Sequence, residues 1–321
     1  MLKDVKDLNN NYGCNIMTIK HLVLSGGGPL GFQFMGTLQY LDEQKFWNIQ
    51  DIKSIYATSV GSIVGAFLCL KYDWEIINQY IIERPWHEVF TLSGKQIVEA
   101  YYNKGLYDKK VLEIAFKPLL EAKDLSLNIT LKEFYILTNI DFHFFTFELN
   151  SFKTIEINHH SHPDLSLITA ISMSCAIPGI FMPVCKNKEC YIDGAVMANY
   201  PLSFCLSNNV DINEVLGLNY NIVKQNIASN SNYISDESSI LDYILGFSTN
   251  AMNFITNIIK AQNIPNEVVY NLLETPLSLD YIKNSIYSME MRKEFMEKGY
   301  KKAQEFLEIL HKGQDLSNKL G

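Results

Sequence analysis

His21-Leu22-Val23-Leu24-Ser25-Gly26-Gly27-Gly28-Pro29-Leu30-Gly31 is the stretch on which the fold turns. It begins as a short apolar run and stops at three glycines, the pattern of a buried strand ending in a tight turn. Pro29 suits a first helical position, and Leu30, Phe34, Met35, Leu38 and Leu41 then recur at helical spacing through to Lys45. Ser54 to Thr58 reads as a second short strand and Ser59 to Leu70 as a second helix. Strand, glycine turn, helix, strand, sharp turn and helix predict an α/β fold with a mostly parallel central sheet flanked by helices.

Working outward, Asp73 to Ile82 and Lys109 to Leu120 are expected to be helical, and Phe142 to Leu149 and Lys153 to Ile157 to be strands joined at Asn150-Ser151. Phe181 to Val184 and Tyr191-Ile192 flank Lys186-Asn187-Lys188-Glu189 and predict a hairpin that delivers Asp193 at its end. Glu214 to Asn219 gives one more strand, Gln225 to Ser239 is a Ser/Asn-rich loop, and the remainder reads as mostly helical. The expected division is an N-terminal extension over 1–19, a core over 20–206 carrying the motifs, and a mostly helical part of the same domain over 207–321. Ile240 to Ile259, apolar on two faces, is expected to pack on the domain, with a lid or lipid-facing surface as the alternative, and Met291 to Leu310 is expected to pack on the domain.

The chain has 321 residues, 47% of them hydrophobic and 19% charged, enough to bury a sizeable core. Lys and Arg number 27 against 35 Asp and Glu, a net charge of −8, and no basic block interrupts the acidic average. That argues against a nucleic-acid partner or a polybasic membrane anchor. The first residues lack a signal-peptide core, and the longest apolar stretch, Ile63 to Leu70, falls far short of the roughly 20 residues a bilayer span needs. An intracellular protein, cytoplasmic or peripherally membrane-associated, is the expectation. The six scattered cysteines read as reduced thiols, Cys185 and Cys190 included.

Three motifs carry the chemistry. Gly26 to Gly31 fits G-x-G-x-x-G between a strand and a helix, a setting that builds an anion site from backbone N–H groups. A dinucleotide would need an acidic residue at the tip of the second strand, where Thr58-Ser59 stands instead; Asp51 precedes that strand. Ala57-Thr58-Ser59-Val60-Gly61 falls where the second strand turns into its helix, and a nucleophile elbow requires small residues such as Ala57 and Gly61 beside the serine. Asp193-Gly194-Ala195 is by itself an ordinary turn. A Ser–His–Asp triad of the α/β-hydrolase order would have to use His311, the only histidine beyond Asp193, which leaves a serine with a carboxylate as its base.

In these motifs the chain resembles the patatin-like phospholipases, lipid acyl hydrolases that use a Ser–Asp dyad. The glycine loop is Gly26 to Gly31, the nucleophile motif Ala57 to Gly61, and the aspartate motif Asp193-Gly194-Ala195. Ser172 to Val184 is similar to the family's stretch ending in Pro-x-x-Phe-x-Pro, and Asn199-Tyr200-Pro201 follows the aspartate motif as in many members. The resemblance spans about residues 20–206 and implies a three-layer sandwich. It implies Ser59 as nucleophile, Asp193 as base, the N–H groups of Gly26, Gly27 and Gly28 as oxyanion hole, and Gly31, Ala57, Gly61, Gly194 and Ala195 as motif support.

It further implies a lipid substrate at a membrane or micelle surface, no metal, no organic cofactor and no calcium requirement. Acyl transfer to an alcohol and a lipid-binding pseudoenzyme are the alternatives. One departure stands out: Leu30 occupies the place of the family's Arg or Lys, and Leu30→Arg is expected to add only a charge at the rim of the site. His159-His160-Ser161-His162 lacks the helical spacing of a metal site and reads as an exposed loop.

Overall fold

The structure, a computed structural model, describes residues 18–91, 93–222, 234–258, 262–272 and 279–320. Nearly all of the expected N-terminal extension, Cys14, and residues 225–233 of the Ser/Asn-rich loop lie outside them. The strands are β1 (His21–Leu24), β2 (Ser54–Thr58), β3 (Gly105–Tyr107), β4 (Asp141–Glu148), β5 (Lys153–Ile157), β6 (Gly179–Phe181), β7 (Val184–Lys186), β8 (Glu189–Asp193), β9 (Val215–Ile222) and β10 (Asn266–Leu272).

The fold is the expected one, a central sheet in the order β10-β9-β1-β2-β4-β8-β7 with β5 also paired to β4 and helices on its faces. β10, β9, β1, β2 and β4 run parallel, whereas β5 and β8 pair antiparallel with β4, and β7 pairs antiparallel with β8. The parallel strands are buried on both faces, which is why β1 and β2 read as near-continuous apolar runs instead of alternating.

The helices Leu30–Glu43 and Val60–Cys69 occupy the expected places, and their buried faces join Phe142 and Phe144 in the main core. Helix Met289–Leu320 crosses helix Leu30–Glu43 through reciprocal glycines. A Cβ on Gly36 would lie 2.1 Å from the Met296 carbonyl oxygen, and one on Gly299 would lie 2.0 Å from that of Gln33. The Thr37 hydroxyl donates to the Gly299 carbonyl at 2.8 Å in the same crossing.

Four expectations need correction. The hairpin is β7–β8, turned by Asn187 and Lys188 alone, both at positive φ (52° and 69°); Lys186 and Glu189 are paired strand residues, not loop. Phe181 belongs to the separate strand β6, which pairs with β3. β10 inserts a strand into the region read as mostly helical, because β9 offers it a parallel edge that no local pattern announces. Finally, the hairpin register sets Cys185 directly opposite Cys190, with Cα atoms 4.1 Å apart, and the two form a disulfide instead of remaining free thiols. Cys69, Cys175 and Cys205 are free and buried.

Candidate active site

The sheet register brings the serine and the aspartate motifs together. Along one edge of β4, Ala57 pairs with Phe144 and Thr58 with Phe145, after which β2 turns away at Ser59. The next residue of β4, Thr146, pairs with Asp193 at the end of β8, while β5 holds the opposite edge. β8 therefore takes up the place that β2 vacates, and Asp193 arrives where Ser59 leaves.

Ser59 has φ 53° and ψ −127°, a conformation worth about 1–3 kcal/mol of strain for a residue with a Cβ. The surroundings fix it in place. Its N–H donates to the Ser174 hydroxyl at 2.9 Å, and that hydroxyl donates to the Phe145 carbonyl at 2.8 Å. A Cβ on Gly61 would lie 2.5 Å from the Leu24 carbonyl oxygen, so only glycine lets the elbow press against β1. A Cβ on Gly31 would strike Val60 at 2.4 Å, and one on Gly194 would strike the Phe145 carbonyl oxygen at 2.3 Å. The glycines and Ala57, which is fully buried in β2, are thus explained by close approach.

Asp193 is 1% exposed. Its Oδ1 accepts the Ala195 N–H at 2.8 Å, while its Oδ2 is buried and, the Ser59 hydroxyl aside, has no hydrogen-bond partner among the described residues. Burial pushes the carboxyl up to about 7, against the opposing pull of the Ser59 hydroxyl and the Ala195 N–H. A carboxyl that titrates near neutrality beside a serine hydroxyl is matched to taking its proton.

The glycine loop lies over the serine: a Cβ on Gly26 would sit 3.2 Å from the Ser59 Cβ. Of the three N–H groups expected to form the oxyanion hole, that of Gly26 is committed to the Asn199 carbonyl at 3.0 Å. Those of Gly27 (φ 142°) and Gly28 (φ 53°) make no hydrogen bond among the described residues. Leu30 departs from expectation as well. It is fully buried in the main core and packs toward Gly27, so it occupies no rim.

Sequence reasoning passed over Ser174 and Tyr220. Ser174 lies within the Ser172 to Val184 stretch, yet its contacts depend on β4 and β2 being neighbours. Tyr220, on β9, approaches the Gly27 position at 3.2 Å and feels the charge of Asp193, a relationship of long sequence separation.

An apolar cavity of about 210 Å³ opens from Ser59. Met35, Val64, Phe67, Phe116, Ile177 and Ile180 are among its walls. Two amphipathic helices sit at this end of the molecule. Ala100 of helix Gly94–Asn103, and Leu241 and Leu245 of helix Ile240–Ile258, pack with Ile177 and Ile180. Their outer faces expose Val98, Tyr101, Tyr102, Ile240, Phe247 and Phe254, each at least 67% accessible. The second helix thus packs through one face and leaves the other uncovered.

A parallel α/β sheet with a strained serine at the end of one strand and a buried carboxylate beside it defines an α/β protein of the serine-elbow kind. The patatin-like phospholipase family matches residues 22–206, and the chain belongs to it. An uncharacterized protein of Acanthamoeba polyphaga mimivirus is 25% identical over 265 residues, 82% of this chain and 86% of its own. A probable lipid hydrolase of invertebrate iridescent virus 6 is 26% identical over 190 residues, 58% of this chain and 63% of its own. Among solved structures, VipD from Legionella pneumophila shares the fold, with a TM-score of 0.51 at 14% identity over 90% of this chain and 67% of that one. No helix among the described residues is long and apolar enough to cross a membrane.

Proposed function

We propose that the protein hydrolyses fatty-acyl esters of lipids through a Ser59–Asp193 dyad and a covalent acyl-enzyme. The carrying observation is the strained, buried Ser59 beside the buried Asp193 carboxyl at the mouth of an apolar cavity. Asp193 accepts the Ser59 proton as Oγ attacks the acyl carbonyl, then returns it to the leaving alkoxide; water, deprotonated by the same carboxylate, releases the fatty acid. The N–H groups of Gly27 and Gly28 hold the oxyanion, with the N-terminus of helix Val60–Cys69 behind Ser59 adding its dipole. Gly26 has a different part: its N–H ties the loop to Asn199. The cavity takes the acyl chain, whose transfer from water its apolar walls favour by about 0.8 kcal/mol per buried CH₂.

A panel of phospholipids and neutral lipids tests this reading by fatty-acid release. Wild type is expected to release fatty acid and Ser59→Ala to release none above background. A fluorophosphonate should label the wild type at Ser59 alone. Labelling that persists undiminished in Ser59→Ala sinks the assignment.

The family membership and the probable lipid hydrolase from the iridescent virus both support a lipid substrate. The exposed faces of the two amphipathic helices suit them to lie in a lipid surface at the cavity mouth. Val98→Asp and Tyr101→Asp are expected to lower hydrolysis of vesicle lipids by roughly tenfold or more, because a charge replaces apolar area that would enter the interface. Turnover of a short-chain monomeric ester should stay within twofold of wild type. Equal losses on both substrates would place the defect in the site instead of the surface.

A further inference from the structure

The histidine run that reads as a plain exposed loop acquires an acidic partner in the fold. Asp141 begins β4 and pairs with Ser54 at the amino end of β2, and β5 leads directly into the loop carrying His159 and His160. Asp141, His159 and His160 each present one ligand atom, all within 4.8 Å of one another. Ser59 follows the other end of β2, five residues from Ser54, so this cluster stands about 16 Å away along the strand.

Two observations point to an ion. Asp141 Oδ1 and His159 Nδ1 lie 3.1 Å apart as a buried pair, and beyond that contact neither atom has a hydrogen-bond partner among the described residues. This is the spacing of two atoms sharing a cation at about 2.0–2.1 Å from each. The His159 side chain is only 8% exposed, its ring stacks on Tyr135 at 3.7 Å, and its Nε2 has no partner among the described residues. A buried imidazole nitrogen left without a partner is uncommon unless something coordinates it.

Behind Asp141, His143 supports the carboxylate. Its Nε2 lies 3.1 Å from Oδ2 and its Nδ1 bonds to Glu156, the outer layer of histidine and carboxylate that commonly orients ligands around a bound metal. His160 is exposed and its ring lies 3.8 Å from that of His159, which provides the route of entry.

We propose that Asp141, His159 and His160 bind one divalent transition-metal ion of the zinc class. Two imidazoles and one carboxylate select Zn²⁺, Co²⁺ or Ni²⁺ over Mg²⁺ and Ca²⁺, which demand oxygen ligands. Three protein ligands leave a fourth position for water. At the end of the sheet remote from Ser59, the ion fastens the 158–162 loop to the start of β4 and takes no part in ester chemistry.

The test uses the full chain without a polyhistidine tag, stripped with EDTA and dialysed. Titration with ZnCl₂ should show one ion per chain, and Zn²⁺ should raise the wild-type melting temperature by a few degrees. His160→Ala, at an exposed position, should match the wild type in melting temperature in EDTA yet bind at least about tenfold more weakly and gain no stabilisation; Asp141→Asn should weaken binding likewise. Co²⁺ substitution should give tetrahedral d–d absorption without thiolate charge transfer, which separates this site from the cysteines. Absence of stoichiometric binding, unchanged affinity in His160→Ala, or a thiolate band on Co²⁺ loading would each overturn the proposal.

Discussion

Asp193→Asn is expected to lower kcat by about 10²–10⁴ while leaving the fold and KM largely intact, since an amide keeps the shape of the carboxylate but cannot take the Ser59 proton. The pH dependence gives the residue a second signature. Only the ionised form is a base, so kcat/KM of the wild type should rise across pH 7, where Asp193 titrates. Stability should move the opposite way. The folded carboxyl holds its proton up to about 7 whereas the unfolded one releases it near 3.8, so between those values the native state binds the extra proton.

The fold is therefore least penalised below about pH 4 at this group and loses roughly 4 kcal/mol as pH climbs to 7. Urea midpoints measured from pH 4 to 8 should show that decline in wild type and a flatter profile in Asp193→Asn. A variant keeping more than about a tenth of the wild-type rate would exclude the base role.

Leu30→Arg is the second large effect, and its sign reverses what the sequence suggests. A rim position would tolerate a cation, but Leu30 is fully buried and packs with the core beneath the glycine loop. Placing a guanidinium there without a partner is expected to cost at least about 3 kcal/mol and to displace Gly27 and Gly28. Fluorophosphonate labelling of Ser59 should fall with the urea midpoint. Leu30→Met, close in volume, should cost less than about 1.5 kcal/mol. Wild-type stability together with a salt-dependent gain in Leu30→Arg would restore the rim reading.

These cases mark where sequence is legible. The elbow was readable because its demands are local: a serine at positive φ leaves room only for glycine or alanine around it, and Gly61 and Ala57 stand at those places. The strand–glycine–helix rhythm likewise required a parallel sheet. Which way Leu30 points, the commitment of the Gly26 N–H to Asn199 and the meeting of Asp141 with His159 all depend on chain segments that only the folded sheet brings together. β10 escaped notice because Asn266 to Leu272 alternates weakly and gains its identity from β9.

The placement of β9 carries a consequence for any fragment. β1, the strand that leads into the glycine loop, lies between β2 and β9, and β9 in turn is covered by β10. A polypeptide ending at residue 206 would retain every motif residue yet leave one side of His21–Leu24 as an open apolar edge, with helix Leu30–Glu43 stripped of its glycine-to-glycine crossing. Such an edge invites pairing between molecules. The segment that holds the reactive groups and the segment that keeps them soluble are different stretches of chain, so domain grafts and truncations cut at the family boundary should be recovered as aggregates.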